Sequence, residues 1–112
     1  MTAPKPVFET ELSGLRRVSR GKVRDIYDLG SELLIVTSDR LSAFDVVLPT
    51  PIPGKGEVLT RLSAHWFEST RDLVPNHLLS VECDAFPPET RPHAHLLRGR
   101  SMLVKKARPL PV

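Results

Sequence analysis

The sequence has few of the features that mark secreted or membrane-bound proteins. Cys83 is the only cysteine among the 112 residues, so an internal disulfide is excluded and a reducing compartment is favoured. No apolar run approaches the ~20 residues that a membrane-spanning helix needs. Residues 1–7 contain two prolines and no apolar segment of the secretory type. These features predict a cytoplasmic protein with no membrane partner.

Excess charge of one sign is also missing. Sixteen Lys and Arg against thirteen Asp and Glu leave a net charge of +3, which suits a small anionic ligand but not a nucleic-acid partner. The length is that of one domain, and 40% hydrophobic residues are enough for a modest core. We therefore expect one domain over residues 1–112, with residues 1–12 as an arm in which Pro4 and Pro6 disfavour regular structure.

The stretch Ser19–Tyr27 carries the strongest functional signal. Gly21 lies between Arg20 and Lys22, and glycine allows either a positive φ or the close approach of a ligand to the backbone. Since successive strand residues face opposite ways, Lys22 and Arg24 are expected on one face. The pattern predicts a hairpin that covers a phosphate. A surface hairpin with solvated cations is the alternative, because short glycine motifs often occur without function.

Hydrophobic patterning predicts an α+β fold, in which one main helix packs on a mostly antiparallel sheet. The helix is expected over residues 57–73, with Trp66 and Phe67 in the core. Its apolar side is predicted to hold Val58, Leu59, Leu62, Trp66 and Phe67. Strands are predicted over residues 15–19, 22–29, 32–37, 46–48 and 101–106, the first three as a meander.

Residues 76–100 are the least readable part of the sequence. His93 and His95 would share one side of a strand, as two metal ligands would need. No third ligand stands at a recognisable spacing, so we predict a solvated loop and no metal site. Residues 108–112 stop directly after an apolar run, without polar closure, and we therefore expect the chain to be truncated after residue 112.

Several stretches, taken in order, resemble the SAICAR synthetase family, the phosphoribosylaminoimidazole-succinocarboxamide synthases of purine biosynthesis. The helical stretch with Leu59-Thr60 and His65-Trp66-Phe67 also fits this resemblance. It extends over residues 19–112, apart from a variable loop around residues 82–98. The stretches are Arg20-Gly21-Lys22-Val23-Arg24-Asp25-Ile26-Tyr27, Thr37-Ser38-Asp39-Arg40-Leu41-Ser42-Ala43-Phe44-Asp45, Ile52-Pro53-Gly54-Lys55-Gly56, and Leu103-Val104-Lys105-Lys106 followed by Pro109-Leu110-Pro111-Val112.

The resemblance implies an ATP-dependent ligase that joins L-aspartate to the carboxylate of carboxyaminoimidazole ribotide (CAIR). The reaction would pass through an acyl phosphate and give SAICAR, ADP and phosphate. The fold would resemble the nucleotide-covering lobe of ATP-grasp enzymes and protein kinases. The Mg²⁺ ligands are expected in a missing C-terminal part, so the segment alone should be inactive, and a homo-oligomer is possible at full length.

The same resemblance assigns the site residues, with Lys22 and Asp45 as the catalytic pair. Leu110 is the favoured backbone donor to adenine, because Pro109 and Pro111 have no N–H. For Asp39, a cap of its own turn is the alternative to substrate binding. The expected ATP contacts are Gly21, Lys22, Arg24, Lys105 or Lys106, Ala107 and Leu110. The expected substrate contacts are Asp39, Ser42 and Asp45.

Two other functions compete with the ligase. The first is a small basic binding module that has no catalytic activity. The second is a protein-kinase N-lobe, which is disfavoured because Gly21 stands where a kinase loop has three glycines and because no Val-Ala-Ile-Lys strand is present.

Overall fold

The computed structural model describes residues 5–108, which form a five-stranded antiparallel sheet, a separate small hairpin and one long helix. The sheet contains β1 (Arg16–Arg20), β2 (Arg24–Asp28), β3 (Glu32–Thr37), β6 (Leu78–Ser80) and β7 (Ser101–Lys105), in the spatial order β1-β2-β3-β7-β6. The hairpin pairs β4 (Ser42–Ala43) with β5 (Val46–Val47). The long helix is α1 (Lys55–Ser69), and α2 (Ala94–Leu97) is a single short turn.

The predicted α+β architecture is confirmed, and so are the β1–β2–β3 meander and the apolar strand β7. β4 and β6 were not predicted. The helix begins at Lys55 rather than residue 57, because Gly54 turns into it at a φ of 83°. It ends at Ser69 rather than residue 73, where the hydroxyl of Thr70 donates to the carbonyl oxygen of Trp66. Residues 5–12, which we predicted to be an arm, form no helix or strand.

The pairing register defines two faces of the sheet. Ile35 lies opposite Ile26 on one side and Met102 on the other, so these three side chains share the first face. Tyr27 lies opposite Leu34, which lies opposite Leu103, and these three share the second face. The second face is the more deeply buried. Its core contains Leu12, Tyr27, Leu34, Val36, Phe86, Leu97 and Leu103.

Helix α1 covers part of the first face, and the predicted apolar side of this helix is largely wrong. Gly56 and Thr60 are its buried residues, and Phe67 is half-buried. Trp66, expected in the core, is 58% exposed. The small residues face the sheet because the helix N-terminus lies against the backbone of Thr37, with no room for larger side chains. An exposed apolar stripe of Val58, Leu62 and Trp66 runs along the outside of the helix.

Residues 76–100 form the edge strand β6, two 3₁₀ turns (Cys83–Ala85 and Pro88–His93) and α2. His93 lies in a turn rather than a strand and is buried, with its Nε2 at 2.9 Å from the carbonyl oxygen of Ser13. The predicted solvated loop is therefore wrong for the part of this segment that carries Phe86, Thr90, His93 and Leu97, which are buried. His93 and His95 also share no strand. In the described part of the chain, no helix is long and apolar enough to cross a bilayer.

Candidate functional site

The turn between β1 and β2 (residues 21–23) is fixed by short hydrogen bonds to the loop that follows β3. The amide and hydroxyl of Ser38 both donate to the carbonyl oxygen of Val23, each at 2.8 Å. The Gly21 amide donates to the carbonyl of Arg24 at 2.8 Å, which closes the turn. The turn therefore has a defined shape before any ligand is bound.

The turn does not need Gly21 for a positive φ. What the glycine provides is open space beside the turn. Its φ lies outside the positive range, where Gly14, Gly30, Gly54 and Gly99 are found. A methyl group built on Gly21 would meet only the carbonyl oxygen of Arg24, at 3.7 Å. The absence of a side chain thus leaves the outer surface of the turn open to a ligand.

Lys22 and Asp45, the predicted catalytic pair, lie together. The ammonium of Lys22 forms an ion pair with the carboxylate of Asp45, which sits at the tip of the β4–β5 hairpin. Phe44 and Asp45 form this tip with φ values of 50° and 64°, a conformation rare for residues other than glycine. Such strain often marks functional loops. Both charged side chains are largely solvent-exposed, so the pair can reopen to accept a ligand.

Arg24 and Lys106 lie toward opposite ends of the first face. Arg24 stands beside the turn and donates from Nε to the hydroxyl of Thr37 at 3.4 Å. Lys106 donates to a carboxylate oxygen of Asp28 at 2.8 Å and to the carbonyl of Gly30 at 3.2 Å. Since Arg24 and Asp28 are four residues apart on β2, roughly 13 Å of strand separates the two cations.

The Lys106 ammonium lowers the pKa of the Asp28 carboxyl, and the Gly30 amide adds to the shift. Lys105 lies two residues after Leu103 on β7, so its side chain is on the second face of the sheet, where it is exposed. Ala107 is exposed and outside regular structure, and Leu110 lies outside the described residues. Only Lys106 among the two predicted lysines therefore shares the face of Arg24.

Asp39 is fully buried and bonded by protein donors on both oxygens. One oxygen accepts from the amide of Gly56 at 2.8 Å and from Arg100 at 2.9 Å. The other accepts from the amide of Val7 at 2.8 Å and from Arg100 at 3.2 Å. Burial raises the pKa of this carboxyl, but the hydrogen bonds from Arg100, Val7 and Gly56 outweigh burial and leave the pKa below its usual range.

Asp39 thus joins the arm, the start of α1 and Arg100, the residue before β7, and it does not cap its own turn. Ser42, the third predicted substrate contact, is half-buried on β4 and pairs through its backbone with Val47. The hairpin therefore holds Ser42 and Asp45 on one small element beside the turn, while Asp39 lies beneath them in the protein interior.

The model of the SAICAR synthetase family matches residues 17–112. The chain belongs to this family. The phosphoribosylaminoimidazole-succinocarboxamide synthase of Pelobacter propionicus is 64% identical over 107 residues, which are 96% of this chain and 36% of that protein. The synthase of the same name from Methylococcus capsulatus is 58% identical over 113 residues, covering 100% of this chain and 38% of that protein.

Solved structures agree with this assignment. A SAICAR synthase superimposes with a TM-score of 0.84 at 40% identity, over 94% of this chain and 38% of that chain. The SAICAR synthase from Saccharomyces cerevisiae, complexed with SAICAR, gives a TM-score of 0.77 at 41% identity, over 89% of this chain and 36% of that one. The chain therefore spans a little over a third of the length of these relatives.

Sequence reasoning missed the buried charged residues that hold this family member's turn in place. Asp25 accepts from the amide of Thr10 at 2.9 Å, from its hydroxyl at 2.7 Å, and from Arg20 and Arg40 at 3.0 Å each. Arg20, one of the cations beside Gly21, is therefore committed to the arm and to Asp25. The repeated Arg and Asp residues in the two family stretches were the available signal, but their partners lie up to 61 residues away.

A cavity of about 530 Å³ lies elsewhere, between α1 and residues 81–84. Glu57, Arg61 and Arg98 contribute to its lining, and none of the predicted site residues does. We place the candidate site at the turn, because Lys22 and Asp45, the predicted catalytic pair, meet there. Among residues 5–108, no group of three His, Cys, Asp or Glu side chains is arranged to hold a metal ion.

Proposed function

We propose that this segment is the nucleotide-covering part of an ATP-dependent ligase that joins L-aspartate to CAIR and forms SAICAR. The observation that carries the proposal is the meeting of Lys22 and Asp45, which come from separate loops, at the open side of the Gly21 turn. The names of the relatives and their 56–64% identity over this segment support the same reaction. The enzyme would act on small molecules in the cytoplasm.

The chemistry needs charge neutralisation more than covalent help from the protein. A carboxylate is a poor acylating agent, so the γ-phosphoryl group of ATP is transferred to the CAIR carboxylate, which gives an acyl phosphate and ADP. The aspartate amine then attacks the acyl carbon, and phosphate leaves as the amide bond forms. Phosphoryl transfer of this kind depends on positioning and on cations near the phosphate oxygens.

Lys22 is the cation that we assign to the transferred phosphate. It moves from Asp45 to the phosphate oxygens when ATP binds, and Asp45 is then free to accept a hydrogen bond from the incoming amine or from the amino group of CAIR. Ser42, on the same hairpin, donates to a substrate carboxylate or phosphate. Asp39 does not contact the substrate directly, because its oxygens already accept hydrogen bonds from the arm, α1 and Arg100.

The nucleotide lies along the first face of the sheet. Ile26, Leu33 and Ile35 are only half-buried there and offer an apolar surface to the adenine and ribose. Arg24 is at the phosphate end. Lys106 is roughly 13 Å of strand away, at the adenine end, and the backbone from Ala107 to Leu110 then reads the adenine edge.

Magnesium does not fit the described residues, since they provide no suitable group of ligands. We expect its ligands, and most contacts to CAIR, in the part of the relatives' length that this chain does not span. No step proposed for Lys22, Asp45 or Ser42 depends on the metal.

The test is an assay of a protein of the relatives' full length that carries this segment. With ATP, CAIR and L-aspartate present, we expect SAICAR and ADP in equal amounts, and no SAICAR when any one substrate is left out. ATP binding without SAICAR formation would favour the non-catalytic binding module instead.

A further inference from the structure

A buried arginine holds the Gly21 turn from the inside. Arg40 is 2% exposed, and its guanidinium donates four hydrogen bonds. Nη2 reaches the carbonyl of Gly21 at 3.0 Å, and Nε reaches the carbonyl of Lys22 at 3.0 Å. Nη1 reaches the carbonyl of Phe8, in the arm, at 2.7 Å, and Nη2 also reaches a carboxylate oxygen of Asp25 at 3.0 Å. Arg40 therefore joins two successive turn carbonyls, the arm and a buried anion.

These contacts determine where the turn amides point. In a trans peptide the C=O and the following N–H point in opposite directions, and the described chain has no cis peptide. The carbonyls of Gly21 and Lys22 both point inward to Arg40, so the amides of Lys22 and Val23 point outward. Within residues 5–108, neither of these two amides donates a hydrogen bond to the protein. Two adjacent free amides beside the Lys22 ammonium form an anion-binding surface.

We propose that Arg40 is a positioning residue for the triphosphate of the nucleotide. It acts through the turn, by keeping the amides of Lys22 and Val23 aimed at the phosphate oxygens, and it does not touch the nucleotide. The inference rests on the proposed function for the identity of the anion. Because Arg40 also holds Phe8 and Asp25, it makes phosphate affinity depend on the arm at residues 5–12.

Lysine cannot replace arginine in this role. The Nε and Nη2 groups lie along one rigid edge of the guanidinium and bind two neighbouring carbonyls at once, whereas an ammonium is a single point donor on a flexible stem. Arg40→Lys keeps the positive charge beside Asp25 and loses the paired hydrogen bonds to the carbonyls of Gly21 and Lys22. The variant therefore tests the two hydrogen bonds to the turn carbonyls separately from the buried positive charge.

The experiment measures the dissociation constants of ATP and adenosine for the full-length protein by calorimetry. For Arg40→Lys we expect ATP binding to weaken about tenfold or more, while adenosine binding changes by less than about twofold. The matched control is Arg100→Lys, since Arg100 is also buried (4% exposed) and pairs with Asp39, but none of its hydrogen bonds reaches residues 20–23. This control should leave the ratio of the two constants within about twofold of the wild-type ratio.

An unchanged ratio of the ATP and adenosine constants in Arg40→Lys would overturn the inference. If that variant does not fold, Ser38→Ala, which removes the hydroxyl bond to the Val23 carbonyl, tests the same turn and should also weaken ATP selectively. A wild-type protein that makes no SAICAR but prefers ATP to adenosine disproves the ligase. The comparison of Arg40→Lys with the wild type then still tests the positioning role of Arg40. A wild-type protein that makes SAICAR but binds ATP no more tightly than adenosine overturns the positioning role of Arg40 and leaves the ligase standing.

Discussion

At the scale of single residues, the candidate site combines exposed groups that can move with buried groups that cannot. Lys22 and Asp45 pair at the surface, where an ion pair contributes little and is easily exchanged for a ligand. Asp39 and Asp25 are buried, and guanidinium groups and amides satisfy their oxygens. Under the proposed function, the exposed pair is the part that can act on a substrate, while buried Asp25, through Arg20 and Arg40, holds the turn that carries Lys22.

Replacing Lys22 by alanine should remove the cation from the transferred phosphate. In the full-length protein we expect the rate of SAICAR formation to fall by roughly 10²–10³. Thermal stability should hardly change, because the Lys22 side chain is 54% exposed. Steady-state kinetics and a thermal melt on the same preparation check both statements, and Lys22→Arg serves as the charge-preserving control. Unchanged turnover in the alanine variant would remove Lys22 from the mechanism.

Gly21→Ala separates a structural glycine from a functional one. The added methyl has room in the free protein and the φ is not positive, so the free energy of unfolding should change by less than about 1 kcal/mol. The same methyl would occupy the surface that we assign to the phosphates, so the KM for ATP should rise, while the KM for aspartate stays near its normal value. An unaffected KM for ATP would place the phosphates elsewhere.

The buried Asp39 should make the free energy of unfolding fall as the solution becomes acidic. Because its pKa is lowered in the folded state, its contribution is complete above the unfolded pKa of about 3.9 and is lost as the pH falls toward the lower folded value. Asp39→Asn should lower the melting temperature at pH 7 and flatten its decline as the pH falls below about 4. Melts followed by circular dichroism across this range provide the check.

The control for Asp39→Asn is Asp72→Asn, the same chemical change at an exposed position after α1. We expect this control to follow the wild-type melting curve at neutral pH. An Asp39→Asn variant that melts at the wild-type temperature at pH 7 would show that the Arg100 pair and the two amide bonds add nothing to stability.

At the scale of elements, five strands (β1, β2, β3, β5 and β7) were predictable, whereas β4, β6 and the face of the helix were not. β3 is a short apolar run, whereas β2 places Ile26 and Tyr27 among charged residues. Glycine or charged turn residues bound both strands, and such local signals determine their positions. The helix pattern indicates an apolar stripe but cannot indicate what covers it. Here Gly56 and Thr60 face the sheet, and the stripe of Val58, Leu62 and Trp66 faces outward.

The same limit applies to the candidate site, because local patterns indicate its residue types but not which residues contact one another. The turn and the polar loop could be found from their residue types, because glycine, cations and carboxylates in short stretches suggest anion chemistry. The pairing of Lys22 with Asp45 bridges 23 positions and that of Asp39 with Arg100 bridges 61. Such contacts arise from the tertiary fold, so no local pattern indicates that Asp39 is structural or that Arg40 grips the turn.

Gly56→Ala should show how closely α1 lies on the sheet. A methyl at this position would stand 2.3 Å from the carbonyl oxygen of Thr37 and 2.8 Å from that of Ser38, and neither backbone atom can move freely. We expect a loss of about 3 kcal/mol of unfolding free energy, measured by urea denaturation. Gly21→Ala is the matched control, since its methyl has room. Equal stability of the two variants would contradict the close packing described for α1.

At the scale of the whole molecule, three exposed apolar surfaces have a common interpretation. They are the outer stripe of α1, the half-buried first face of the sheet and the hairpin tip, where Phe44 is fully exposed. A chain that spans 36% of a relative's length carries only part of that relative's contacts. Under the proposed function, the first face receives the nucleotide, and the rest of the enzyme supplies the floor of the site.

The 112-residue chain alone should therefore form no SAICAR. It carries Lys22, Asp45 and the Gly21 turn, but its residues 5–108 hold no group of side chains suited to a metal ion, and a triphosphate bound on one side only remains open to water. Chromatographic detection of SAICAR after incubation with ATP, CAIR and L-aspartate is the measurement, and the full-length protein at equal concentration is the positive control. SAICAR formed by the short chain, and lost in Lys22→Ala, would show that this segment holds a complete active site and would contradict the division of the site that we propose.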